Sequence, residues 1–258
     1  MPKNLRRGAL ALALASGFPA VVAAESSDRG SQPVPASEPS SHRTLLAAQL
    51  VDLMHPDDKM VGTNVQTWVA VSRRSGAADP VMSKLESEYP GVIDAAIANA
   101  RSLAVDYARA FVRKSKALKT RIFAERLTEQ ELREVLDFFN EPAGRRLAER
   151  MQKPTDEVAD FIAAKKQDAG PLTEGDVKTM LQTRSKSALQ AGSADEALEI
   201  MKFESRPVAR KFGLAGQEAN RQMLDIINSP DPVWLEKQDK ALSDGAVRFV
   251  DEKRKAAK

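Results

Sequence analysis

The sequence predicts an all-α fold, an antiparallel array of helices, and three observations carry that expectation. Apolar residues recur three and four apart over long stretches, most clearly at Ile93, Ile97, Ala100, Ala104, Tyr107 and Phe111; this spacing lines one face of an amphipathic helix. No segment alternates apolar and polar residues between turn signals, so strands are not expected. A capped helix broken at a proline also occurs twice at a constant offset, with Glu134 falling on Glu199 and Pro142 on Pro207, the mark of a repeated helical unit. Composition agrees. The 258 residues are 42% hydrophobic but only 5% aromatic, so the core must be built mainly from Ala, Leu, Val, Ile and Met, and the length suits one or two domains.

Taken in chain order, residues 1–24 have the layout of a cleavable signal peptide. Lys3, Arg6 and Arg7 form a basic start, Gly8–Val22 an apolar run, and Val22-Ala23-Ala24 a small-residue cleavage site before Glu25. Arg6-Arg7 leaves open whether the general or the twin-arginine export route is used. The run is shorter than the ~20 residues a membrane span needs, and Ser16 and Pro19 interrupt it. The expectation is a periplasmic product with no transmembrane anchor after cleavage. Residues 25–44, with Pro33, Pro35 and Pro39 among serines, read as a disordered linker.

The helical domain is expected over 45–254. Leu45–Met54 has helical spacing and stops before Pro56, and a second helix runs from about Asp57 to Ser72. Loops are expected around Ser75–Pro80 and Tyr89-Pro90-Gly91. The long helix opens near Val92 and continues through Leu118 and Ile122.

The repeated units span about 127–150 and 192–215. Glu134–Leu147 overlays Glu199–Phe212 without a gap, and Thr128-x-x-Glu131 falls on Ser193-x-x-Glu196. Each start has capping-box spacing, in which the hydroxyl caps a backbone N–H and the Glu reaches back. Each unit therefore reads as a helix, a corner, and a second helix with Pro142 or Pro207 at its first position. The first unit contains Leu127-Thr128-Glu129-Gln130-Glu131-Leu132 and the stretch Phe138-Phe139-Asn140-Glu141-Pro142-Ala143-Gly144 through Leu147. On these residues it resembles the Domain of Unknown Function 2059 family, small exported helical proteins of proteobacteria. Glu141 stands where the family has Ser or Thr at a helix cap, and a carboxylate is expected to accept the same hydrogen bonds. The resemblance implies an exported helical domain and brings no activity. Thr128, Glu131, Phe138, Phe139, Pro142 and Gly144 are read as structural.

Charge and residue usage narrow the chemistry. Lys and Arg number 39 against 36 Asp and Glu, a net +3. Three of those cations are Lys3, Arg6 and Arg7, so the chain beyond the leader is neutral and no nucleic acid is expected as partner. With no Cys, thiol nucleophiles, thiolate metal sites and disulfides are out of reach. Of two histidines, His42 is expected free in solvent. His55, beside Asp57 and Asp58, is expected to close a helix C-terminus while one of the aspartates caps the next helix. Nucleophile elbows, S-x-x-K spacing and phosphate-binding glycine loops are missing. No catalytic, metal or cofactor set is expected.

One stretch stands out electrostatically. Arg109, Arg113, Lys114, Lys116 and Arg121 belong to seven basic residues between Arg109 and Arg126, against the single acid Glu125. The expectation is a solvated face balanced by the acid-rich segment Glu125–Glu141. The alternative is a binding face for an anionic lipid surface, lipopolysaccharide or an acidic partner. The function expected is therefore an exported, non-enzymatic helical protein serving protein–protein interaction or envelope maintenance, with unknown envelope proteins as partners. A binding module for anionic envelope components is the alternative, and a hydrolase a distant third.

Overall fold

The computed structural model describes residues 40–153, 156–167 and 171–257. The expected signal peptide at 1–24 and residues 25–39 of the expected linker lie outside the described residues. Among the described residues there are eleven helices and no strand: α1 Ser41–Met54, α2 Asp57–Ala78, α3 Pro80–Glu88, α4 Val92–Arg126, α5 Glu129–Asn140, α6 Pro142–Gln152, α7 Asp156–Gln167, α8 Glu174–Gln190, α9 Ala194–Glu204, α10 Pro207–Asn228 and α11 Pro232–Ala256. The all-α expectation holds.

The 35-residue α4, about 52 Å long at 1.5 Å per residue, is the axis of the array. Its first two-thirds bury Ile93, Ile97, Ala100, Ala104 and Phe111 in a core shared with α2, α7, α10 and α11. Its last third buries Ile122 and Phe123 in a second core with α1, α5, α6, α9 and α10. Leu118 packs against both. The small side chains of α4 let a neighbour come close. A Cβ added to Gly245 of α11 would lie 2.7 Å from Asn99 Cβ and 3.0 Å from Ala95 O.

Three expectations about boundaries are corrected. Residues 41–44 are not linker but the first turn of α1, because Ser40 Oγ accepts from the Arg43 amide at 3.1 Å and caps it. His42 is not free either, since its Nδ1 lies 2.9 Å from Glu129 Oε2. Where loops were expected at 75–80, α2 runs on to Ala78 and α3 begins at Pro80, with Asp79 capping it.

The two helix–corner–helix units are α5–α6 and α9–α10. Pro142 and Pro207 both occupy first-turn positions, as read from the sequence. In the first unit the capping box is complete: Glu131 N donates to Thr128 Oγ1 at 3.2 Å and Thr128 N to Glu131 Oε2 at 2.9 Å. In the second, Ser193 Oγ accepts from Glu196 N at 3.3 Å, but the Glu196 carboxylate is drawn instead to Arg146 and to Arg150 at 2.7 Å. Glu141 also departs from expectation, since it is the N-cap residue of α6 without a side-chain cap bond.

The units meet by exchange. Glu131 pairs with Lys211 and Glu196 with Arg146, and the offset between the units maps each pair onto the other. The equivalent rings of Phe138 and Phe203 stack between them at 4.0 Å with 6° between planes. A contact in which residue i meets j and j meets i is the form of a two-fold interface.

Candidate functional site

Two features stand out, a closed polar knot and an open apolar groove. The knot lies where α1 ends. His55 is the C-cap of α1, 3% exposed, and its Nε2 lies 3.2 Å from Nζ of Lys119, which is 2% exposed. Arg184 of α8 is buried beside them and donates Nη2 to Lys153 O at 2.9 Å. Gln152 at the end of α6 donates to Met54 O at 2.6 Å, and Thr63 Oγ1 donates to Gln152 O at 2.7 Å. These bonds tie α1, α2 and α6 together around a cationic interior.

Burial and the charges of Lys119, Lys116 and Arg184 push the His55 imidazole well below its ordinary value, so at neutral pH the ring is uncharged. Burial, with Arg184 adding repulsion, lowers Lys119 to about 7, and burial lowers Arg184 to about 10. His55 thus closes the C-terminus of α1 as expected, but as an uncharged ring. No aspartate caps α2: its N-cap is Pro56, without a side-chain bond. Asp57 instead pairs with Lys116, as Asp52 does at 2.5 Å. Burial works against the Lys116 charge, and the bonds to Asp52 and Asp57 outweigh it, so its pKa is raised. The groups that sequence spacing placed around His55 were carboxylates; those that shift it in the fold are cations.

The basic stretch 109–126 divides accordingly. Lys116, with its side chain 19% exposed, and Lys119 turn inward. Arg121 pairs with Glu125 at 3.3 Å and Gln222 at 2.7 Å, and Arg109 lies 3.8 Å from Asp106. The balancing acids thus include Asp52 of α1, Asp57 of α2 and Asp106 of α4, together with Glu125 from the expected segment 125–141. Arg113 and Lys114 stand exposed. Reversing both to Glu is expected to leave the circular dichroism unchanged and stability within about 0.5 kcal/mol, the usual range for surface positions. Sedimentation with anionic vesicles reads the lipid alternative directly, which stands only if that reversal lowers the bound fraction.

The groove lies at the other end of the molecule, between α3 and α11, with a volume of about 890 Å³. Both walls are fixed by short-range bonds. Asp79 accepts from the Val81 and Met82 amides at 2.9 and 3.0 Å and starts α3. At the other end of α3, the Glu86 carboxylate accepts from the Gly91 and Ile93 amides at 2.7 and 2.9 Å and holds α3 to the start of α4. Gly91 turns the chain there with φ of 97°, a conformation glycine adopts without strain. Asp231 caps α11 through the Val233 amide at 2.9 Å. Near the far end, Arg254 Nε donates to Tyr89 Oη at 3.0 Å, closing α11 onto the α3–α4 turn.

The groove floor is Met82, Ala96, Leu242, Ala246 and Val250. Val81 on one wall and Val247 on the other are each 56% exposed. Pockets of this size and apolar lining are typical binding sites. Sequence reading missed both walls. Residues 81–88 lie between two expected loops and carry no assigned element, and α11 carries no motif, although its 235/242/246/250 apolar spacing is a readable signal.

Fold and sites define a helical domain with an apolar groove and a buried cationic knot. Residues 116–171 match the Domain of Unknown Function 2059 family, described as an uncharacterized protein conserved in bacteria, so the resemblance seen at Leu127–Leu147 holds. No curated protein and no solved structure matches the chain. The matched segment holds the end of α4, both helices of the first unit and α7; the groove lies outside it.

Proposed function

We propose that this chain is an exported, periplasmic helical protein that acts by binding other envelope proteins and performs no chemistry of its own. The α3–α11 groove carries this reading. It is pre-formed and apolar, and Val81 and Val247 reach solvent from opposite walls; exposed apolar surface of this kind marks interaction sites. Export is supported by the layout of residues 1–24, and no helix among the described residues is long and apolar enough to cross a membrane. The absence of chemistry is supported by the placement of His55 and Lys119, the side chains best suited to proton transfer, inside the packed interior. The exchange contact between α5–α6 and α9–α10 supports descent of the two units from one duplicated unit.

A photoreactive residue placed in turn at Val81, Val247 and the exposed control Leu214 tests the reading in cells. A discrete adduct at both groove positions and none at Leu214 is the expected result. Absence of adducts at both groove positions sinks it. Fractionation and intact mass of the same material are expected to give a periplasmic chain beginning at Glu25; an uncleaved cytoplasmic chain removes the export part.

A further inference from the structure

We infer that the α3–α11 groove receives one amphipathic helix that carries basic residues along a flank. The inference rests on the interaction reading above and names the occupant. Leu235, Leu242, Ala246 and Val250 line the groove along one stripe of α11. From 235 to 250 that stripe runs about 23 Å at 1.5 Å per residue, the length of about four helical turns. A trough between two helices with an apolar floor is the form that takes an amphipathic helix by its apolar face, with anchors spaced three and four apart. Strand addition needs a sheet edge, and no strand exists among the described residues.

Charge selects the flank. Along its length, the groove is bordered by Glu236, Asp239, Asp244 and Asp251, against Lys240 and Arg254. Lys240 is paired with Asp244 at 2.8 Å, and Arg254, over the Tyr89 ring at 5.6 Å, lies in the field of Asp251, so each cation offsets one acid. With acids still outnumbering cations along it, the rim is net acidic. It attracts a basic flank and repels an acidic one, and such complementarity sets specificity and encounter rate. Because Asp79, Glu86, Asp231 and Arg254 already hold the walls, little ordering of the protein opposes docking.

Fluorescence anisotropy on the full chain tests this with labelled synthetic helices of about five turns and one apolar leucine face, flanked by Lys in one and by Glu in the other. A third probe is the peptide of residues 1–24. The Leu/Lys helix is expected to bind, with the Leu/Glu helix at least tenfold weaker at low salt. The double variant Val81→Asn, Val247→Asn and the single variant Glu236→Lys are each expected to weaken Leu/Lys binding at least tenfold. All three substitutions are at exposed positions, and circular dichroism and the thermal midpoint verify that the variants fold. If both designed helices bind equally and both lose affinity in the double variant, the basic occupant is overturned while the interaction reading stands. Equal binding to the double variant and the unaltered chain places the peptide elsewhere and overturns the inference. If neither helix binds but adducts at Val81 and Val247 persist in cells, the helical occupant fails alone; without adducts both readings fail. Tighter binding of the 1–24 peptide makes the chain's own leader the occupant and overturns a separate partner.

Discussion

Gly144→Ala is expected to cost about 3 kcal/mol or more, the upper end of what overpacking does. Gly144 is the third residue of α6, which turns back from α5 through the single residue Glu141. A Cβ there would lie 2.1 Å from Phe138 O, 2.8 Å from Phe138 C and 2.9 Å from Phe139 Cα. All three atoms are backbone, so no rotamer change relieves the contact, and the corner itself has to open. Overpacking a core typically costs about 1–3 kcal/mol when side chains can adjust; here they cannot. Opening the corner also pulls on Phe138 and Phe139, which are 5% and 1% exposed; across the two units Phe138 stacks on Phe203 and Phe139 meets Phe212 edge-on. At the equivalent position the second unit carries Ala209, fully buried, and its corner has two linking residues, Ser205 and Arg206. The wider corner accommodates the methyl group. Ala209→Gly is accordingly expected to cost only about 1 kcal/mol, through backbone entropy and one lost methyl contact. Urea unfolding at constant m-value reads both, and about 3 kcal/mol corresponds to roughly 6–12 °C in the melting temperature of a domain this size. A Gly144→Ala chain that unfolds at the same urea concentration as the parent would contradict the account.

The corner shows what local sequence can and cannot specify. Pro142 and Pro207 start helices wherever they occur after a cap, because the constraint is on φ and on a missing N–H, both local. Thr128 and Glu131 are equally local, and their box formed as read. Glu196 has the same spacing, but Arg146 and Arg150, on the second helix of the preceding unit, compete for its carboxylate and win. The third box, Thr173 with Asp176, uses the shorter acid and was passed over. The apolar face of α4 was legible because its periodicity persists over many turns. The groove was not, because it depends on the approach of α3 to α11, with seven helices between them in the chain, and α3 itself began within an expected loop. The polar knot failed for a sharper reason. Asp57 and Asp58 are His55's neighbours along the chain, yet the fold turns Asp57 to Lys116 and brings Lys119 and Arg184 to the ring.

That knot carries the second large effect: Lys119→Met is expected to stabilise the protein by several kcal/mol at neutral pH and to flatten its stability between pH 7 and 10. Lys119 is 2% exposed, and its pKa is lowered from 10.5 to about 7 by burial and by Arg184. The unfolded chain therefore binds a proton between pH 7 and 10.5 that the folded chain gives up. Where the unfolded state binds more protons, stability rises with pH. The cost of the buried amine is thus absent above about 10.5, grows as pH falls to about 7, and stays at its full value below that, at about 1.4 kcal/mol for each tenfold change in proton affinity. His55, lowered beneath 6.5, adds a second loss that sets in below pH 6.5. The groups facing the amine include the His55 ring from the end of α1 at 3.2 Å and the charged Arg184 from α8; Lys116, which acts on His55, is offset by Asp52 and Asp57. Methionine keeps the length and flexibility of the side chain without the charge, and exchanging buried charged groups for apolar ones of similar volume is often stabilising by about 1–4 kcal/mol. Thermal or urea midpoints at pH 6, 7.5 and 9 separate the contributions. The parent is expected to gain stability across all three, and Lys119→Met to rise from 6 to 7.5 only, through His55. A variant less stable than the parent at every pH would mean that the amine holds a contact the fold requires, and the knot would then be a structural tie whose charge is needed rather than tolerated.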